Sequence, residues 1–191
     1  MGQLWELPYL GDRAYVHGTT LVDKILAELE PGFPLDIRFQ APIFGTVKVQ
    51  REPREKPNVA VSFDRNAQRV FYGLFDAGKG ALDNRFPFDE RAIAALATVG
   101  ERVVSSPHGS DASLISRIVV MNKTLMSRVF PDARGKWWFA ELQLKAWPQA
   151  ATSTELELDR SIGTRLVCST IRADGHAIGK IFFSLADARP S

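Results

Sequence analysis

The sequence has a single cysteine, Cys168, and only three histidines, His17, His108 and His176. One cysteine excludes an internal disulfide and any cysteine-based metal site. Three histidines so far apart give no zinc-ligand spacing, so neither a metal nor a cofactor is expected. The formal charge is only +2. The charged run of Arg51, Glu52, Arg54, Glu55 and Lys56 mixes both signs, as a solvated loop does, and gives no basic face for nucleic acid. No apolar run approaches membrane-spanning length. The start, Met1-Gly2-Gln3-Leu4-Trp5-Glu6, lacks the basic region and apolar core of a signal peptide. The expectation is a cytoplasmic protein with no membrane contact. Gly78-Lys79-Gly80 is glycine-rich, but no Walker spacing follows, so it is read as a loop and not a phosphate cradle.

What is present is an ordinary globular composition. The chain has 191 residues, 45% of them hydrophobic and 24% charged, enough for one domain or two small fused ones. Cys168 lies in an alternating run and reads as a buried structural thiol. The chemically ablest stretch is Tyr15-Val16-His17-Gly18-Thr19-Thr20-Leu21. It leads into Leu21, Val22, Ile25, Leu26 and Leu29, one apolar stripe at helical period. Thr19 or Thr20 can cap that helix, and Pro31-Gly32 ends it. His17 and the Gly18 amide then sit at the positive end of a helix, where an oxyanion or a thioester carbonyl is stabilised.

Further along, Leu35, Ile37, Phe39 and Ala41 alternate with Asp36, Arg38 and Gln40, the pattern of a half-buried strand. Val47 to Gln50 continues in that style. Val59 to Phe63 and Arg69 to Phe75 read as a hairpin. Gly78 to Phe88 reads as a linker, Asp89 to Val99 as a helix, and Val103 to Ser113 as a loop. Leu114 to Phe130 reads either as one helix or as a strand followed by a short helix. Trp137 to Trp147 and Thr154 to Leu158 read as strands. Leu166 to Ile171 and Ala177 to Leu185 make a hairpin about Asp174-Gly175. Trp137, Trp138, Phe139 and Trp147 suit core and inter-half packing, or for some of them the lining of an acyl tunnel.

The two halves of the chain match in pattern. Thr20 to Leu26 aligns with Thr124 to Phe130, and Leu35 to Ala41 with Ala140 to Ala146, each strand being followed by a proline, Pro42 or Pro148. The hairpin Val59 to Phe75 aligns with Leu166 to Leu185 at nearly the same offset. The reading is an internal repeat. Each copy is a helix followed by an antiparallel sheet with one apolar face, in an α+β chain. The first spans 1–82, a linker with a helix spans 83–110, and the second spans 111–191.

Tyr15 to Leu21 resembles the hydrophobic-His-Gly approach to the central helix of hotdog proteins. Ile37-Arg38-Phe39-Gln40-Ala41-Pro42-Ile43-Phe44-Gly45 is similar to their RF-x-x-P-x-x-x-G strand and turn. The resemblance is to MaoC-like and FabZ-like acyl-thioester dehydratases and to related thioesterases. It implies a tandem double hotdog with its working site in the first half, since Met121-Asn122 stands where the first half has His17-Gly18. It implies processing of acyl-CoA or acyl-carrier-protein thioesters, as a dehydratase or hydratase, with a possible homodimer. A thioesterase, or a non-catalytic module binding an acyl chain or a protein, is the alternative. His17 is the candidate base, Asp12 or Asp23 the acid or orienting group, and Gly18 and Tyr15 the substrate-binding residues. Two departures stand out. Asp12 and His17 have the MaoC spacing without its Asn-Pro, and the second helix has no acid at its start.

Overall fold

The computed structural model describes residues 2–78, 84–107, 111–163 and 165–186, with the side chain of Ile162 excepted. His108 and Gly109, and the Lys79-Gly80 part of the glycine loop, lie outside the described residues. The chain divides into two compact units, Met1–Asp89 and Glu90–Ser191. No helix among the described residues is long and apolar enough to cross a membrane.

The first unit begins with two short strands, β1 (Gln3–Trp5) and β2 (Tyr9–Leu10), which lead into helix α1 (Gly18–Leu29). The helix buries Leu21, Val22, Ile25 and Leu29 of the predicted stripe, with Leu26 half-buried. Val22 and Ile25 are fully buried, each contributing about 1.5–3 kcal/mol of apolar burial. The helix starts earlier than the threonine-cap expectation. Its N-cap is His17, and no side chain caps it. Thr19 is inside the helix and fully buried. The chain leaves α1 through Glu30 in the left-handed region, just ahead of Pro31, which cannot continue the helix.

Four strands follow: β3 (Leu35–Phe39), β4 (Val47–Arg51), β5 (Val59–Arg65) and β6 (Gln68–Asp76). The predicted alternation of β3 stops short, because Ala41 is exposed and its amide, with that of Gln40, turns away to the Asn58 carbonyl. Asn66 and Ala67 both have positive φ and close the β5–β6 hairpin in two residues. The strand order is β1-β4-β6-β5-β3, antiparallel throughout. The segment expected to be a linker holds strand β7 (Arg85–Phe86), which pairs in parallel with β2.

The second unit opens with α2 (Glu90–Ala95), then β8 (Thr98–Val99) and β9 (Val103–Pro107). The helix expected to reach Val99 therefore ends four residues earlier, and the expected loop from Val103 is a strand. Pairing overrides local pattern here. β9 lies between β8 and β11 (Ser153–Ile162), and Val104 is fully buried. Helix α3 (Leu114–Val129) is one continuous helix, which resolves the two alternatives for that stretch. Then come β10 (Lys136–Leu144), β11, β12 (Leu166–Ala173) and β13 (His176–Ala186). The Asp174-Gly175 turn is where the sequence places it, with both residues at positive φ. Trp137, Trp138 and Phe139 are partly buried on β10. Phe139 stacks on Phe183, and Trp137 lies against Phe130.

Strand order in this unit is β8-β9-β11-β12-β13-β10. The two units thus share a chain order of helix, strand, strand and hairpin, but not a neighbour order. In the first unit the strand after the helix pairs with the first strand of the hairpin, β3 with β5. In the second it pairs with the last, β10 with β13.

Candidate active site

His17 is 6% exposed and lies one residue ahead of α1. Two sets of contacts hold the segment there. The Val16 amide donates to the Ile43 carbonyl at 2.8 Å, and the Tyr9 hydroxyl donates to the carbonyl of Phe44. The 42–46 turn that accepts these bonds is itself pinned. Asn58 donates to the Pro42 carbonyl at 2.9 Å, and the Asp76 carboxylate accepts from the Phe44 amide at 2.9 Å. The motif from Ile37 to Gly45 therefore acts as a brace for the histidine segment. On the other side Arg85 donates to the carbonyls of Gly11 and Arg13, both at 2.9 Å. This brings Phe88 beside His17, ring centroids 5.8 Å apart, with the Arg13 guanidinium 5.5 Å from the Phe88 centroid.

The imidazole has a polar partner as well. His17 Nδ1 lies 2.7 Å from Thr19 Oγ1. When Nδ1 carries the proton it donates to that hydroxyl, and Nε2 is the basic nitrogen. The ring is held in this way at the start of a twelve-residue helix, beside its first-turn amides, of which Gly18 is the first.

The other predicted residues fall differently. Tyr15 is partly buried in the same segment. Asp12 is exposed in the turn after β2. Asp23 is half-buried on the second turn of α1, not the first, because the helix begins at Gly18. No acid occupies the first turn of α1. Met121 and Asn122 are not at a helix start either. They lie mid-helix in α3, fully buried, and Asn122 Oδ1 accepts from Ser169 at 2.8 Å. His176 is exposed at the start of β13. Cys168 is buried, and burial raises its thiol pKa, as befits a structural residue. Among the described residues no group of three or more His, Cys, Asp or Glu is placed to hold a metal ion.

Sequence reasoning missed Thr19 as the partner of His17, because it was read as a cap. It missed Phe88, which lay in a presumed linker. It also passed over Arg117, 2% exposed within the apolar run of α3. A charged residue inside such a run was the available signal.

No protein-family model and no curated protein matches the sequence. Solved structures do match, at low identity. One is the dehydratase domain of a mycocerosic acid synthase-like PKS, 10% identical, with a TM-score of 0.53 over 91% of this chain and 83% of that one. Another is the pyran synthase domain from module nine of the sorangicin pathway, 8% identical, TM-score 0.52, covering 98% and 93%. A third, from Thermobifida fusca YX and assigned as a thioesterase II, is 11% identical with a TM-score of 0.50, covering 96% and 91%. The chain has the hotdog fold. The helix and antiparallel sheet expected from the resemblance are present in each unit. At these identities the likeness is one of fold.

Proposed function

We propose that this hotdog protein binds and processes acyl thioesters carried by coenzyme A or an acyl carrier protein, with His17 as the working base. The observation that carries the reading is the buried imidazole at the start of α1, held by Thr19 at 2.7 Å and backed by Phe88. The two units are read as the tandem halves of a double hotdog, with the working site in the first. Their common element order supports this, and the different hairpin pairing marks divergence between the halves.

In the dehydratase reading His17 removes the α-proton of a 3-hydroxyacyl thioester. The electrons form the α,β double bond and the β-hydroxyl leaves, protonated, as water. The Gly18 amide and the helix dipole stabilise charge on the thioester oxygen. Tyr15 lines the approach. Asp23, half-buried on α1, or Asp12, exposed ahead of it, supplies the leaving-group proton.

One observation favours the second reading, hydrolysis or binding without turnover. α3 carries no Asp or Glu anywhere along Leu114–Val129, so the second unit's helix offers no acid. A panel of 3-hydroxyacyl-, enoyl- and saturated acyl-CoA esters separates the readings, with wild type compared against His17→Ala. Hydration or dehydration lost in a folded His17→Ala identifies the first, and hydrolysis of saturated esters the thioesterase. Binding without turnover leaves a binding module. No binding of any ester overturns the proposal.

A further inference from the structure

Arg117 is the fourth residue of α3 and is 2% exposed. Its Nε and Nη1 are buried and have no acceptor. A guanidinium is not deprotonated at neutral pH, so this is a charge whose two buried donors have no acceptor. Such a group destabilises the fold that contains it unless something compensates. The helix supplies nothing for this, since it has no acidic residue. The carboxylate of Glu90 is engaged by Lys123 at 2.9 Å.

Two features of α3 call for an acceptor, and a separate buried hydroxyl on β11 also lacks one. Side chains on a helix lean toward its N-terminus, so Arg117 leans over the first turn of α3. That turn is the positive end of a sixteen-residue helix. Its Ser113 cap takes only the Ser116 amide, at 3.3 Å. Thr154 is also fully buried, and its hydroxyl has no partner. It lies on the inward face of β11 with Leu156 and pairs with Ser106, one residue from the end of β9. A buried cation near a helix N-terminus calls for an acceptor carrying negative charge.

We infer that the Arg117 guanidinium, at the start of α3, is a binding group for an oxyanion of the ligand. On the acyl-thioester reading, on which this rests for its ligand, the oxyanion is the terminal carboxylate of the acyl chain or a phosphate of the carrier. Arg117 then sets specificity and takes no part in bond making.

The test uses the full chain and two variants, Arg117→Met and Arg117→Gln, each checked for folding by circular dichroism. Thermal melts are run without ligand, with millimolar glutarate and with inorganic phosphate. Glutaryl-CoA, valeryl-CoA and free CoA are then titrated calorimetrically. A waiting charge makes the ligand-free Arg117→Met protein melt higher than wild type, by about 2–4 °C. Glutarate or phosphate raises the melting temperature of wild type and of neither variant. A carboxylate site prefers glutaryl-CoA over valeryl-CoA at least tenfold in wild type and equally little in the variants. A phosphate site gives no such preference, but all three CoA compounds weaken together when Arg117 is lost. The inference is overturned if neither anion shifts wild type, or if Arg117→Met responds as wild type does. If the anion effects hold but no CoA compound binds, the thioester reading fails and the oxyanion site stands. If all three bind equally to wild type and variants, the oxyanion site fails and the reading stands.

Discussion

Pro53 rests on Gly73. β4 and β5 flank β6 on opposite edges and run parallel to each other, so the chain from Arg51 to Val59 has to cross β6. It crosses on the face shared by Phe71 and Phe75, and the Glu52 amide donates to the Phe71 carbonyl at 2.8 Å. A methyl group at Gly73 would stand 2.9 Å from Cγ of Pro53 and 2.8 Å from the Phe75 ring. Both are tighter than normal contact.

Gly73→Ala is therefore expected to destabilise the first unit by about 1–3 kcal/mol, the cost of overpacking. Urea unfolding followed by fluorescence checks it. Restoring space with Gly73→Ala plus Pro53→Ala should recover part of the loss. Full stability in the single variant would mean that the crossing is loose.

This crossing also marks where sequence legibility ends. The stripe Leu21, Val22, Ile25, Leu29 and the Asp174-Gly175 turn were legible because period and turn chemistry are local. Which hairpin strand becomes the neighbour of β3 or β10 is not local. It is a matter of pairing between strands far apart in sequence, and alternating patterns look the same either way. β9 was misread for the same reason: its five residues owe their extended form to β8 and β11 on either side. At the site, His17 was legible from its place before the helix. Its partner Thr19 was not, because a threonine there looks like a cap.

Thr19→Val tests that partnership. It keeps the volume, removes the hydroxyl and strips His17 Nδ1 of its 2.7 Å bond in a buried place. The expected stability loss is about 1–3 kcal/mol. On the proposed function kcat falls roughly tenfold with KM little changed, since the ring loses orientation and not contact with substrate. The pH–rate profile should shift as well, and Thr19→Ser should restore both. A kcat unchanged in a folded Thr19→Val protein would remove Thr19 from any positioning role.

Asp159 predicts an acid dependence. Burial raises its carboxyl pKa, but bonds from Lys180 at 2.8 Å and from the Thr170 hydroxyl outweigh that, and the net shift is downward. A carboxyl depressed in the folded state contributes stability that is present above its unfolded pKa. That contribution is lost as pH falls through the folded value. The window opens near the ordinary aspartate pKa of about 3.9 and extends to more acid pH. Asp159→Asn should be less stable than wild type at neutral pH by up to about 1 kcal/mol, and the difference should vanish at the acid end. Chemical denaturation at several pH values gives the comparison. Parallel curves for the two proteins would show that the Lys180 pair contributes nothing.

Asn122 and Ser169 form a second buried pair, bonded at 2.8 Å between α3 and β12, and Asn122 Nδ2 has no partner. Ser169→Ala leaves the Asn122 carbonyl oxygen unsatisfied too, so the whole amide becomes a buried orphan. The expected cost is about 1–3 kcal/mol. Asn122→Leu alone strands only the Ser169 hydroxyl and removes an orphan amide, so it should cost less. Replacing both removes every unsatisfied group and should come close to wild-type stability, because an apolar pair of similar shape needs no hydrogen bonds. The double-mutant cycle should thus show strong coupling, with the double variant more stable than Ser169→Ala alone. Additive losses would mean that each residue matters by its own packing, and that the bond between α3 and the sheet is incidental to stability.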